Sequence, residues 1–460
     1  MAAPLGANPA PPINIPQFQL PPEVCERIID HLDPYLLKGN DDRQTLLNCA
    51  LVCRGWYTES RAVLFEKPLL RSRKEAVACA RSLTRIPLLA SGVQLLQIGR
   101  SQSDPEIVTT APELASILVM LAGKLPYLES LEFDLVSFEH CFMRHLAFWS
   151  LHEFSHITSL CLSNVTMPSA SPFFQVVCSF PHLQYLSCWD LHWSKSRSMA
   201  PLPERHRMPL TKVTRLGYDM SCFEDIGHHL LGLLDQAILK ELQLHPNVSA
   251  ATLASTQDIL NIVSRRLEEA DVGLWARKQD SADGNLQSLL LHPINFEANV
   301  NMQGLKLCII ISEMNDVALF VRSVLLPLLH TISSNDLKDV CFRIQCDSEL
   351  ETGDALLNAF DQEACVQIDE LLAEGHFAKL RDVSIVFYLG ITASDSDSAS
   401  DDSQWINVCT EICARFPKLS DKNVLITRYN QHQFPSDAER ELKAKQLANK
   451  QPRPTEQAAA

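Results

Sequence analysis

After residue 85 the apolar positions of this chain recur in one figure. A branched or aromatic residue stands at i, i+3 and i+5, just after a helical stretch that ends near a proline. The triples are Val93-Leu96-Ile98, Leu128-Leu131-Phe133, Ile157-Leu160-Leu162, Leu183-Leu186-Cys188, Val213-Leu216-Tyr218, Leu239-Leu242-Leu244, Leu286-Leu289-Leu291, Leu337-Val340-Phe342 and Leu380-Val383-Ile385. The last two positions of each alternate as a strand does, and the first tucks the preceding turn into a core. Between them lie segments of helical period: Leu114, Ile117, Leu118, Leu121; Ile226, Leu230, Leu233, Leu234; Ile259, Ile262, Val263, Leu267; Val317, Phe320, Val321, Val324, Leu325; and Ile368, Leu371, Leu372. Strands joined by single helical crossovers must be parallel and right-handed, so the pattern predicts an α/β solenoid with strands on one face and helices on the other. Successive triples start 35, 29, 26, 30 and 26 residues apart, then 47, 51 and 43. This predicts an irregular arc with longer helices in its second half. A conventional α/β domain with a parallel sheet after residue 250 is the alternative.

Residues 20–70 differ in character. Pro21 and Pro22 suit the first turn of a helix, where no intrahelical N–H is needed, and Glu23 favours the positive end of the helix dipole. Val24, Ile28, Ile29 and Leu32 form its apolar stripe. A loop over 33–43 holds the turn formers Pro34, Gly39, Asn40 and Asp41. A second helix starting near Asp42 carries Leu46, Leu47, Cys49, Ala50, Val52 and Cys53 around nearly its whole circumference, so it must be covered on more than one side. Trp56, Val63, Leu64 and Phe65 continue into a third short helix. About fifty residues make a marginal core, and part of this surface must meet something else.

These residues resemble a known family. Leu20-Pro21-x-Glu23-Val24, Ile28-Ile29-x-x-Leu32 and Leu46-Leu47-x-Cys49-x-Leu51-Val52-Cys53-Arg54-x-Trp56 look like the F-box, with a connection between the first two helices longer than is usual in the family. The resemblance implies a trihelical module that docks on the Skp adaptor of an SCF-type cullin-RING ubiquitin ligase and leaves the rest of the chain to hold a protein substrate. By motif position it implies Leu20, Pro21, Ile28, Leu32, Leu47, Val52 and Trp56 as adaptor-binding residues. The later triples resemble the Leu-x-x-Leu-x-Leu core of the leucine-rich repeat, although the Asn expected after the third apolar position occurs only as Asn247. The expected fold is thus an F-box module followed by an irregular leucine-rich-repeat-like α/β solenoid with parallel strands. Target specificity is expected at strand positions between the apolar ones: Glu129, Ser130, Glu132 and Asp134; Thr158, Ser159, Cys161 and Ser163; and Lys240, Glu241 and Gln243.

Composition narrows the function classes. The 460 residues include 55 acids and 40 bases, a formal net charge of −15, with no basic block, which argues against a nucleic-acid binder. Only 15 residues are glycine, about half the usual share of roughly 7%. No phosphate-loop, nucleophile-elbow, His-Glu-x-x-His or dinucleotide motif occurs, so no catalysis and no cofactor are expected. The alternative function is a non-catalytic repeat scaffold working outside a ligase. Fifteen scattered cysteines without a secretory signal read as reduced thiols, placing the chain in the cytoplasm or nucleus and leaving the sequons at Asn164 and Asn247 without meaning. Cys49/Cys53 and Cys409/Cys413 sit one helical turn apart among apolar neighbours and read as buried hydrophobes. His140, Cys141, His145, His228 and His229 lack a partner set at ligand spacing, so no metal is expected. No run is long enough to span a membrane. Residues 1–19 read as a Pro-rich leader, 71–429 as the repeat domain, and 430–460 as a charged tail. The Ser/Asp segment 394–403 reads as a mobile loop with phosphorylatable serines.

Overall fold

The structure is a computed structural model that describes residues 21–30, 32, 41–99, 109–138, 150–193, 212–219, 238–245, 250–276, 286–311, 318, 320–346, 357–358, 360–389 and 401–430. Leu20, the leader, Pro34, Gly39, Asn40, His140, Cys141, His145, His228, His229, Asn247, Val317, the expected helix over 226–234, residues 394–400 and the tail from 431 lie outside the described residues. The chain divides into two units, Met1–Lys67 and Pro68–Ala460.

In the first unit the proline pair opens helix α1 (Pro22–Asp30), with Glu23 in the first turn and Arg27 in the last, each favourable to the dipole. Helices α2 (Asp41–Val52) and α3 (Arg54–Glu66) follow, separated by the extended residue Cys53. Both α1 and α2 contact α3. Ile29 of α1, Leu46 and Cys49 of α2, and Ser60 of α3 are buried. The spacing of Leu46 and Cys49 puts both on one face of α2.

The second unit is built on a sheet of twelve strands whose spatial order is their chain order. They are β1 (Leu69–Leu70), β2 (Leu95–Gly99), β4 (Ser130–Asp134), β6 (Ser159–Ser163), β8 (Tyr185–Trp189), β10 (Arg215–Asp219), β11 (Glu241–His245), β12 (Glu269–Ala276), β13 (Gly304–Ile311), β14 (Asp339–Cys346), β15 (Asp382–Leu389) and β16 (Leu425–Asn430). Every pairing is parallel. The register aligns the expected apolar positions: Leu96, Leu131, Leu160, Leu186, Leu216 and Leu242 form one row and Ile98, Phe133, Leu162, Cys188, Tyr218 and Leu244 another. All are buried.

A backbone relay ties each strand to the next. The carbonyl of Gln94 accepts from the N–H groups of both Glu129 and Ser130, and Glu129 in turn accepts from Thr158 and Ser159. The same double acceptance passes through Thr158, Gln184, Thr214, Lys240, Glu268, Gln303 and Lys338, ending on Arg381 and Asp382. A second sheet of two-residue strands runs alongside: β3 (Thr109–Thr110), β5 (Val136–Ser137), β7 (Thr166–Met167) and β9 (His192–Trp193). Leu135, Asn164 and Asp190, with φ of 52°, 51° and 48°, make the turn from β4, β6 and β8 into these short strands.

All but one of the expected triples coincide with strands. Leu286-Leu289-Leu291 instead lies in a helix, Leu286–Leu291. Leu286, Leu289 and Leu290 also share a helical face, and an apolar run this short is ambiguous by period. The strand missed nearby is β13, preceded by the buried Met302 and carrying Leu305 and Leu307 inward. Leu267, expected at the end of a helix, lies beyond that helix (Ala250–Val263) and precedes β12. With these two strands restored, the repeat starts fall at Leu239, Leu267, Met302 and Leu337, so the intervals of 47 and 51 residues become 28, 35 and 35, while the 43 residues from Leu337 to Leu380 remain. The second half also differs in strand length: β12 to β15 have 8 residues each, against 5 in β2, β4, β6, β8, β10 and β11. These strands continue the first sheet across residue 250 rather than forming a separate one.

The end of the Ser/Asp segment is also not loop, since helix Asp401–Ala414 begins inside it. Acidic residues in a first turn complement the dipole. The run expected at 317–325 contains a π-helical turn (Val321–Leu325) passing into an α-helix (Leu326–His330). Near the C-terminal end, Asp369 is 1% exposed and accepts from the backbone N–H groups of Lys418 and Leu419, seating the helix Pro417–Asp421.

Candidate functional site

The first unit leaves much apolar surface uncovered. Val24 and Ile28 on α1, Leu47, Leu51 and Val52 on α2, and Tyr57 on α3 are all exposed, Leu51 at 85% and Val52 at 64%. The second helix therefore does carry apolar residues on more than one side. One side is buried against its own unit and the other is open. Of the sequence-derived residues described here, Pro21, Ile28, Leu47 and Val52 are exposed, and Leu32 and Trp56 are half-buried. Leu51, Val24 and Tyr57 were not singled out from the motif, although they belong to the same uncovered surface. Arg61 lies over the rings of Tyr57 and Phe65, with its guanidinium 5.7 and 5.5 Å from their centroids, and donates to the Tyr57 hydroxyl at 3.0 Å. Cys53 is exposed, unlike Cys49, and so departs from the expected buried pair; Cys409 is buried and Cys413 half-buried.

In the second unit, positions between the apolar rows point to the opposite face of the sheet. The register lines up Gln97, Glu132, Cys161, Ser187, Gly217, Gln243, Asp271 and Lys306 across successive strands. Glu132, Glu241 and Gln243 stand on this face and are half-buried. Glu129, Thr158 and Lys240 each sit one residue ahead of their strands, on the backbone relay, where Lys240 pairs with Glu268 at 2.7 Å. Asp134, expected to be exposed, is only 7% exposed, because it closes β4 and accepts from Asn164 Nδ2 at 3.3 Å. Sequence reasoning passed over Tyr185, Trp189, Arg215, His245, Glu269 and Asp271. The signal was available for Tyr185, Trp189, Arg215 and His245, which occupy the same strand parity as the residues chosen, but not for Glu269 and Asp271, whose strand the pattern did not show.

Burial, reinforced by the charge of Asp134, raises the Glu132 carboxyl above its ordinary value, and burial raises Asp134 as well. The Cys161 thiol alongside is pushed up to about 12 by burial and by Glu132, so it is protonated and a poor nucleophile. A carboxyl whose folded pKa exceeds its unfolded value binds protons more readily in the folded state, so stability falls as pH rises through that range. Glu132→Gln is therefore expected to raise stability at neutral pH. The gain should vanish below the ordinary carboxyl value of 4.5, where Glu132 is protonated in both states. Urea unfolding of both proteins at acid and neutral pH reads this directly, and an equal gain at both would contradict it.

Burial lowers the pKa of His245, partly offset by Asp271. The described outward side chains of the second unit are polar and largely acidic, and the uncovered ones of the first unit are apolar.

Comparison with known proteins bears on the first unit. The F-box-like family model matches residues 18–70, a span that contains all three helices and the uncovered apolar residues. No curated protein matches the chain. No described helix is long and apolar enough to cross a membrane.

Proposed function

With an F-box-like domain at residues 18–70 as the premise, we propose that this chain is a non-catalytic, substrate-recruiting subunit of an SCF-type cullin-RING ubiquitin ligase, acting inside the cell. F-box domains bind the Skp adaptor in such complexes, and the uncovered apolar residues of α1 and α2 are the observation that carries the reading here. An apolar surface of this kind, on a module too small for a large core, marks a partner site. Leu20, Pro21, Ile28, Leu32, Leu47, Val52 and Trp56 contribute to adaptor docking, joined by Leu51. The second unit is an irregular leucine-rich-repeat-like solenoid whose open strand face and leading edge hold the target. Sequential parallel strands and the repeated carbonyl relay support that architecture.

The experiment is affinity purification of the intact chain from cells in which the ligase has been inactivated. The Skp adaptor and cullin scaffold are expected in the eluate, together with trapped target. Failure to retain the adaptor, while a control F-box protein retains it under the same conditions, would favour the scaffold reading and sink this one.

A further inference from the structure

Three large rings stand near one another on the open face of the twelve-stranded sheet. Among the described outward side chains, they are Tyr185 and Trp189 on β8 and His245 on β11. Trp189 and His245 meet edge to face with centroids 4.9 Å apart, although β10 lies between their strands. Gly217 of β10 leaves room for it, since a Cβ there would crowd the Trp189 ring at 3.3 Å and Ser187 Oγ at 3.2 Å. Gly273 of β12 does the same for His245, whose Nδ1 would be 2.4 Å from a Cβ. Two glycines thus let two rings lie across the sheet. Tyr185 holds the Arg215 guanidinium 5.4 Å from its ring centroid, and Arg215 reaches Glu241 at 3.8 Å. Beside them a shallow depression of about 150 Å³ is bounded by Tyr185, Arg215, Glu241, Glu269, Gly304 and Lys306.

Among the described side chains, charge on this face is one-sided. Glu132 and Asp134 stand to one side of the rings, and Glu241, Glu269, Asp271, Asp339 and Asp382 to the other. The described bases on the same rows are Arg215, Lys306 and Arg343, of which Arg215 faces Glu241 and Arg343 lies 3.7 Å from Asp271. On the Glu132 side, no described cation is set against Glu132 or Asp134, and both carboxyls are raised by burial. An aromatic platform flanked by surplus carboxylates matches a guanidinium, which stacks on rings and takes carboxylates in bidentate fashion. Complementary potential across such a face also steers encounter.

We infer that the open face between β4 and β13 takes an extended, arginine-bearing segment of the target protein, seated on the platform of Tyr185, Trp189 and His245. This rests on the reading that the open face is where the target binds. Fluorescence anisotropy on the full chain tests it, with labelled alternating Gly-Arg, Gly-Lys and Gly-Glu decapeptides as probes. The Gly-Arg peptide is expected to bind tightest and the Gly-Glu peptide not at all. Glu132→Gln with Glu269→Gln, which preserves side-chain shape, and separately Tyr185→Ala should each weaken Gly-Arg binding by about tenfold. Asp258→Asn with Glu153→Gln, exposed acids in a helix and a turn rather than on these strands, should leave it unchanged. Equal loss in that control, preference for the Gly-Glu peptide, or wild-type affinity in the face variants would each overturn the inference. Adaptor retention is scored separately: peptide binding without the adaptor defeats the ligase reading alone, and adaptor binding without the peptide effects defeats this inference alone.

Discussion

A chain carrying Leu51→Lys and Val52→Lys is expected to lose the Skp adaptor, its affinity falling about a hundredfold, or ~3 kcal/mol. Both side chains lie on the last turn of α2 and are more exposed than Val24, Ile28, Leu47 or Tyr57. Replacing them removes no buried contact, and lysine suits the negative end of a helix dipole. The thermal transition should therefore stay within the range of ordinary surface substitutions, about ±0.5 kcal/mol. Pro21→Ala with Trp56→Ala should also abolish retention, but Trp56 is half-buried and its loss also disturbs the unit's own packing. The lysine pair separates the two effects. A titration of adaptor against wild type and variant, with unfolding curves alongside, checks it. Unchanged affinity would remove this end of α2 from the interface.

Gly99→Ala is expected to cost at least about 3 kcal/mol in the sheet unit. Gly99 closes β2 with φ of 120°, a conformation that residues bearing a Cβ rarely adopt, and an added Cβ would lie 1.7 Å from the carbonyl oxygen of Asp134 on β4. The obstruction is backbone, so no side chain can swing aside. Relief would require breaking the β2–β4 ladder, which pairs Leu95 to Gly99 with Ser130 to Asp134. Gly92→Ala is the matched control, because nothing lies within 4 Å of its Cβ position and it ends the helix Pro87–Gly92 without positive φ. That substitution should be neutral or stabilising by up to about 1 kcal/mol. Denaturant unfolding of both variants reads the contrast, and equal midpoints would refute the account of Gly99.

The strands were legible because each repeat needs two inward apolar residues and one at the preceding turn, a requirement that Leu128, Leu131 and Phe133 meet in plain view. Where the requirement is met by a small residue, the signal weakens. Ala270 occupies the inward place in β12 that leucine holds in its neighbours, and that strand was missed. Leu286 to Leu291 erred the other way, since leucines this dense satisfy both periods. The turns into the short strands were legible at Asn164 and Asp190, residue types that tolerate left-handed backbone, but not at Leu135. Motif position chose exposed Ile28, Leu47 and Val52 over buried Ile29 and Leu46, yet it passed over Leu51, the most exposed of the set. That separation depends on which face meets α3. The aromatic platform on the open face was hidden because it depends on cross-strand register: Trp189 and His245 lie far apart in the chain and meet across β10.

The central claim is that residues 20–70 exist to hold an adaptor, and titrating purified Skp adaptor into the purified full-length chain tests it most directly. Saturable one-to-one binding is expected at about micromolar affinity or tighter, with a negative heat-capacity change from burial of Val24, Ile28, Leu47, Leu51 and Val52. Absence of saturable binding by a chain whose unfolding transition shows it intact would contradict the account.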